Sequence, residues 1–105
     1  MKEPRSRASE HIGDLVRDLR HQATMSRKLL AERADMDVSH LARIESGQGN
    51  PTLYVMIQLA TALDIEPERF VRGLTANDLP DDIKPYSEAD FRRELRRRQG
   101  PGDRR

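Results

Sequence analysis

Three polar side chains, Ser39, His40 and Arg43, lie within one short segment and could hydrogen-bond to another molecule. A hydroxyl or an imidazole can donate or accept, and a guanidinium can bind a guanine edge or a phosphate through two parallel bonds. Together with Asp37, Ser39 and His40 also supply the residue types of a nucleophilic triad. Neighbouring residues of a helix point in different directions, so Ser39 and His40 do not face each other. The segment therefore favours recognition over catalysis.

Two short helices around a tight turn are predicted to position these side chains. Ser26 can cap the first helix and Asp37 the second, and the residues Ala-Asp-Met-Asp between them form the turn. The predicted inward faces are Leu30, Ala31 and Ala34 on the first helix, and Val38, Leu41 and Ile44 on the second. An exposed helix with polar side chains near its N-terminus fits the major groove of duplex DNA, so the pattern predicts a helix-turn-helix.

Residues 12 to 74 resemble the lambda-repressor-like, or Xre-type, DNA-binding domains. The resemblance is carried by Leu19-Arg20, Ser26, Leu30-Ala31-Glu32, Ser39, Arg43-Ile44-Glu45, Gly47, Asn50-Pro51-Thr52-Leu53 and the run from Leu59 to Leu63. Two positions depart from the family pattern: Arg27 stands where the family often has Gln, and Asp35 stands where the turn usually has Gly. Asp tolerates a left-handed turn better than most residues, so we expect the fold to persist. Arg27 is expected to alter the grip on DNA.

The resemblance implies that side chains of the second helix reach base edges. Val38 and Ser39 occupy the family's base-reading positions, although Val38 could instead turn into the core and Ser39 could contact a phosphate. His40 could touch DNA or remain in solvent. Arg43 could bind a guanine, with a phosphate clamp or a local ion pair as alternatives.

Phosphate contacts are expected at the start of the first helix of the pair and in the loop after the second. Arg27 and Lys28 lie where a helix start leaves backbone N–H groups unpaired. The resemblance sets Gln48, Asn50 and Thr52 against a second phosphate stretch, although Asn50 could serve only to make the turn.

The resemblance also implies two structural contacts. Arg20 and Glu45 would form an ion pair that joins helix one to the recognition helix, and helix five would supply the dimer contact. The residues expected in that dimer are Phe70, Val71 and Leu74 near the end of helix five, together with Phe91 and Leu95 of the C-terminal tail.

The fold class predicted is all-α: a five-helix lambda-repressor-like domain with a C-terminal linker and a short extra helix. Helix one is expected at about 11–22. Thr52 caps helix four, whose apolar stripe is Leu53, Met56, Ile57, Ala60 and Leu63, and Pro67 opens helix five, which ends near Gly73. The chain divides into an N-terminal arm (1–10), the helix-turn-helix domain (11–75), an acidic linker (76–86), an arginine-rich helix (87–98) and a disordered tail (99–105).

The tail helix is expected to need a docking surface. Ser87 to Asp90 reads as a capping box, and Phe91 and Leu95 share one face of the helix that follows. A helix of about twelve residues is marginal alone in water. We therefore expect it to pack on the core or across a dimer, with its arginines facing outward; a tail that frays, or that orders on a protein partner, is the alternative.

Composition excludes several other classes of protein. The chain has no cysteine, which removes disulfide scaffolds and thiolate metal sites, and its three histidines lack the spacing of a helical metal site. No metal or cofactor is implied, and no apolar run approaches the roughly 20 residues of a membrane span. A cytoplasmic location is expected. The net charge of +1 means that DNA binding would rest on the placement of Arg27, Lys28 and Arg43 and not on bulk attraction.

The predicted function is sequence-specific binding of double-stranded DNA by a transcriptional regulator, most simply a dimeric repressor on a palindromic operator. One recognition helix reads only about four or five base pairs, which is too few for a genome, so a homodimer is expected. Two alternatives remain open: an antitoxin-type protein that binds DNA and neutralises a partner through its tail, and a restriction-modification controller protein.

Overall fold

The computed structural model describes residues 3–99, which form five α-helices and two short 3₁₀ helices and no strand. The elements are α1 (Arg7–Gln22), α2 (Arg27–Arg33), α3 (Val38–Glu45), α4 (Leu53–Leu63), the 3₁₀ helices Pro67–Phe70 and Ala76–Asp78, and α5 (Glu88–Arg98). The predicted all-helical fold is confirmed for these residues.

Hydroxyl side chains set the start of four of these helices. Ser6, Ser26, Thr52 and Ser87 each accept a hydrogen bond from the backbone N–H three residues later. Ser6 therefore starts α1 at Arg7, before the apolar stripe begins, and the predicted arm of residues 1–10 is too long. Asp37 stands at the expected cap position of α3, but its side chain makes no capping hydrogen bond.

The turn between α2 and α3 uses the left-handed conformation expected of Asp35, whose φ is 55°. Gln58 of α4 holds the turn in place, because its Nε2 donates to the carbonyl oxygens of Ala34 at 2.9 Å and of Asp35 at 3.0 Å. These bonds satisfy backbone acceptors that the end of α2 leaves unpaired. They tie the helix pair to α4.

The core lies where α1 and α2 pack against α3, with α4 closing the other side of α2. Its fully buried side chains come from five different elements and are Val16, Leu30, Leu41, Ile44, Leu59 and Phe70. Two predictions about apolar faces are wrong here. Leu53 and Ile57 of α4 are exposed and Leu59 is buried instead, because α4 is apolar on most sides and its periodicity does not single out one face.

The predicted helix five is reduced to the 3₁₀ helix Pro67–Phe70, which buries Phe70 completely. Leu74 is only half-buried, and Gly73 has a φ of 82°. The left-handed glycine turns the chain away before a longer helix can form.

The C-terminal segment projects away from this core. The radius of gyration is 19.1 Å and the principal extents are 68 × 30 × 20 Å, whereas a compact chain of this length has a radius of gyration of about 13 Å. The capping box is confirmed, since Ser87 and Asp90 bond reciprocally and the backbone bond from Ser87 lowers the pKa of Asp90. No residue of α5 is buried, and α5 is not among the helices that pack extensively on the core.

The prediction that the tail helix packs on its own core is therefore wrong. Phe91 and Leu95 are the two large apolar side chains in the eleven residues of α5, and they bury too little surface to fix it there. Packing across a dimer stays a prediction. The predicted disordered tail lies outside the described residues, apart from Gln99 at the end of α5.

Candidate nucleic-acid interface

The outer side of α3 presents the four residues expected to read bases. Ser39, His40 and Arg43 are exposed, while Leu41 and Ile44 are buried beneath them. Val38 is 47% exposed, so its assignment to the inward face of α3 is wrong. It stands at the first position of the helix, ahead of the first buried turn, and an apolar side chain there is free to meet another molecule.

The start of α2 lies beside α3 and carries Arg27 and Lys28 on its exposed surface. The Arg27 Nε lies 3.2 Å from the Glu45 Oε1, and the Arg27 side chain keeps 45% of its exposure. One edge of the guanidinium is therefore tied to the protein and the remainder is open to solvent.

The loop after α3 holds the other expected phosphate contacts. Asn50 and Thr52 are exposed, and Thr52 also caps α4. Gln48 is only half-exposed, because its Nε2 donates to the backbone oxygen of Glu3. The N–H of Arg5 also bonds to the oxygen of Gly47 at 2.8 Å. The segment before α1 thus supports the loop, which the sequence did not indicate.

A buried ion pair anchors the recognition helix from behind. Arg20 donates from Nε to Glu45 Oε2 at 2.7 Å and from Nη2 to Glu45 Oε1 at 3.0 Å, and its Nη1 bonds to the Met25 oxygen at 3.0 Å. The side chain of Arg20 is 9% exposed and that of Glu45 is 2% exposed. The hydrogen bond to Glu45 raises the pKa of the Arg20 guanidinium, which stays charged. Arg20 of α1 and Arg27 of α2 thus both contact the carboxylate of Glu45 on α3, which fixes α3 relative to α1 and α2.

Sequence reasoning missed two residues that seat α3. A β-carbon built on Gly13 of α1 would lie 2.4 Å from the backbone oxygen of Ile44, so the helices cross in contact at this glycine. Arg17 donates to the oxygen of Glu45 at 3.2 Å, and it also pairs with Asp14 at 2.5 Å. The Asp-x-x-Arg spacing could have suggested the pair with Asp14 but not the bond to Glu45. For the close helix crossing, the sequence offered only a lone glycine within a helix.

The residues assigned to dimerisation divide into buried and exposed groups. Phe70 is completely buried in its own core, so its assignment to a dimer contact is wrong. Val71, Phe91 and Leu95 are exposed and Leu74 is half-buried, so the assignment of these four residues stays a prediction. The structure adds an exposed apolar surface on α4, formed by Leu53, Tyr54 and Ile57, which the sequence analysis had placed partly in the core.

Among residues 3–99, no cluster of three or more His, Cys, Asp or Glu side chains could hold a metal ion. None of the helices in that range is long and apolar enough to cross a membrane.

Comparisons with known proteins agree with this geometry. A protein-family model described as helix-turn-helix (HTH_3) matches residues 16–70, which is more than half of the chain. A relative in Sinorhizobium fredii, named as the uncharacterized HTH-type transcriptional regulator y4dL, is 36% identical over 58 residues. That match covers 55% of this chain and only 30% of the relative, so the chain spans less than a third of that regulator.

Two solved structures are also similar. The restriction-modification controller protein C.AhdI from Aeromonas hydrophila is 37% identical with a TM-score of 0.57, over 59% of this chain and 94% of that protein. The clp gene regulator ClgR from C. glutamicum is 19% identical with a TM-score of 0.57, over 61% of this chain and 83% of that protein, and shows the shared fold alone. The chain therefore belongs to the helix-turn-helix (HTH_3) family, the Xre-type or lambda-repressor-like DNA-binding domains.

Proposed function

We propose that this chain is a sequence-specific DNA-binding repressor that acts as a homodimer on a palindromic operator. The observation that carries the proposal is the construction of α3: its outer side is exposed and polar, and its inner side is held by the buried pair of Arg20 and Glu45. A helix that reads bases must enter the groove at a fixed angle, and a fixed second layer provides that angle.

The exposed side chains of α3 have complementary chemistry for the major groove. Arg43 matches the O6 and N7 acceptors of guanine, and Val38 can pack against a thymine methyl group. Ser39 and His40 near the start of the helix can bond to a base edge or to a phosphate. These four residues are the proposed base contacts.

The proposed phosphate contacts flank α3 on both sides. Arg27 and Lys28 lie at the start of α2, and Asn50 and Thr52 lie at the start of α4. Gln48 is better placed to hold the loop than to bind DNA, since its amide already bonds to Glu3. With a net charge of only +1, affinity depends on these few contacts, and binding is expected to be sensitive to salt.

The proposed dimer surface combines α4 with the segment after the 3₁₀ helix Pro67–Phe70. Leu53, Tyr54 and Ile57 are exposed on α4, and Val71, which directly follows the 3₁₀ helix, is 48% exposed. Exposed aromatic and aliphatic side chains of this kind are enriched where protein copies associate. A twofold dimer would present two α3 helices to successive major grooves, about 34–36 Å apart. Repression then follows from occlusion of the promoter.

A role as a restriction-modification controller is the second candidate. It is favoured by the 37% identity to C.AhdI, which extends over 94% of that protein. The chemistry of the interface is the same for both candidates, so the distinction lies in which genes carry the operator.

The base-reading assignment is tested with Arg43→Ala. After the wild-type chain has selected its site from a random duplex library, the variant is expected to lose roughly 1 to 3 kcal/mol on that site and to relax preference at one base pair of each half-site. Arg93→Ala, which removes an exposed arginine of α5, is the matched control. A uniform loss of affinity across all operator variants would contradict direct readout by Arg43. Separately, equal affinity of the wild-type chain for a half-site and for the full palindrome would contradict the proposed dimer.

The phosphate assignment is tested with Arg27→Ala. Because a phosphate contact carries no sequence information, the variant should weaken binding to all sequences alike. The slope of log K against log salt should fall by about 0.9 for each phosphate that Arg27 neutralises in the wild-type complex. Arg27→Gln, which restores the residue common in the family, should recover part of the affinity but not the slope. A changed sequence preference with an unchanged slope would instead make Arg27 a base-reading residue.

A further inference from the structure

The helix α5 has an unpartnered apolar surface. Phe91 is 45% exposed and Leu95 is 37% exposed, and the ring of Tyr86 stacks on Phe91 with centroids 6.4 Å apart. Eleven residues with so little burial are too few to persist as an isolated helix, although the reciprocal capping bonds of Ser87 and Asp90 support its start. The surface therefore needs an occupant.

Charges at the two ends of this surface have opposite sign. Glu88 lies one turn before Phe91, and Arg98 lies one turn after Leu95, so all four residues fall on one side of the helix. The partners that α5 offers them are exposed residues of the same helix: Glu88 pairs with Arg92 at 2.7 Å, and Arg98 pairs with Glu94 at 3.4 Å. Exposed pairs of this kind contribute little to stability, so they do not prevent a further partner from binding.

We propose that α5 pairs in antiparallel orientation with the α5 of a second copy of this chain. In this register Phe91 lies against the second copy's Leu95, and Glu88 lies against its Arg98, each contact occurring twice. The parallel arrangement would oppose Glu88 to Glu88 and Arg98 to Arg98. An antiparallel pair is also what a twofold axis generates, since the same surface then serves on both copies.

The pairing supplies a second contact between copies, separate from the α4 surface. Two short helices bury far less than the roughly 1,000 Å² of a stable interface, so α5 does not hold two copies together alone. Joined to another interface through the segment 79–87, it raises the effective affinity by linkage. The inference rests on the proposed homodimer but not on DNA binding, because self-association and the orientation of α5 can both be measured in the free protein.

The first experiment uses charge reversal in the full-length chain, followed by sedimentation equilibrium. Glu88→Arg and Arg98→Glu should each weaken self-association roughly tenfold, because each opposes like charges at both ends of the pair. An equal mixture of the two variants restores opposite charges in the mixed pair and should return to about the wild-type association constant. The weakening should fade in about 1 M salt, where the Debye length is about 3 Å.

The mixture separates the proposal from other effects of the substitutions. Loss of helix or a nonspecific change in charge would leave the mixture as weak as its components, and that result would overturn the charge pairing. Phe91→Ala with Leu95→Ala should weaken association as well, whereas Ile83→Ala, which truncates an exposed apolar residue of the linker, should not. If Ile83→Ala weakened self-association as much as the Phe91→Ala, Leu95→Ala double variant, that result would also contradict the proposal.

The second experiment measures orientation directly. The chain has no cysteine, so a spin label can be placed at Arg93→Cys or at Arg97→Cys alone. Residue 93 is at the centre of the antiparallel register, and two labels at residue 97 are displaced by about 12 Å more along the helix axis, at 1.5 Å per residue. Equal distances for the two labels would indicate parallel pairing, and no distance at either position would show that α5 has another occupant; both results overturn the proposal.

Discussion

Replacing Arg20 by methionine is expected to lower the free energy of unfolding by about 3 kcal/mol, because it leaves the Glu45 carboxylate buried with only part of its partnership. The carboxylate is 2% exposed and would retain the 3.2 Å contact from Arg27 alone. Glu45→Leu should cost a similar amount, since Arg20 would then keep only its bond to the Met25 oxygen.

The double variant Arg20→Met with Glu45→Leu is expected to be more stable than either single variant, because neither charge is then left without its partner. Chemical denaturation of the four proteins completes the double-mutant cycle. Glu68 and Arg72, an exposed pair at 3.1 Å, provide the control, and their cycle should show a coupling of about 0.5 kcal/mol or less. Losses that simply add at Arg20 and Glu45 would mean that the two side chains are not coupled.

Gly13→Ala is expected to destabilise the protein by about 2 to 3 kcal/mol, although alanine is normally the better helix former. The added β-carbon would meet the backbone oxygens of Ile44 at 2.4 Å and of Glu45 at 2.9 Å. Backbone cannot rotate aside as a side chain can, so α1 and α3 must move apart. Because α3 is the proposed reading helix, affinity for the selected operator should fall as well, even where the variant remains folded.

Gly73→Ala separates the effect of space from that of backbone conformation. Within residues 3–99, no atom beyond the adjoining residues lies within 4 Å of a β-carbon built at Gly73, but its φ of 82° disfavours any residue with a side chain. Its cost should be about 1 kcal/mol, without any change in operator affinity. Thermal unfolding and titration of both variants make the comparison. A Gly13→Ala protein as stable as the wild type would show that the crossing can relax.

Local signals in the sequence determined most of the helix-turn-helix. Ser26 and Thr52 cap α2 and α4 as expected, and the left-handed Asp35 replaces the usual glycine of the turn. The sequence pattern also predicted the reciprocal capping bonds between Ser87 and Asp90. Capping and turn formation involve residues within four positions of each other, so one short segment of sequence contains both partners of each interaction. The contacts assigned to bases and phosphates came from family resemblance and stay predictions.

Only the tertiary structure decided which surfaces face inward. The helix α4 is apolar on most sides, so the choice between burying Leu59 and burying Ile57 depends on where α2 lies against it. Phe70 became core and not interface because its 3₁₀ helix packs against α4 and α1. Gly13 became the contact point of two helices because it meets the backbone of Ile44 and Glu45, about thirty positions away in the chain. Periodicity describes one helix at a time, whereas burial is a property of helices packed together; that is why the sequence predicted the elements and the packing selected their faces.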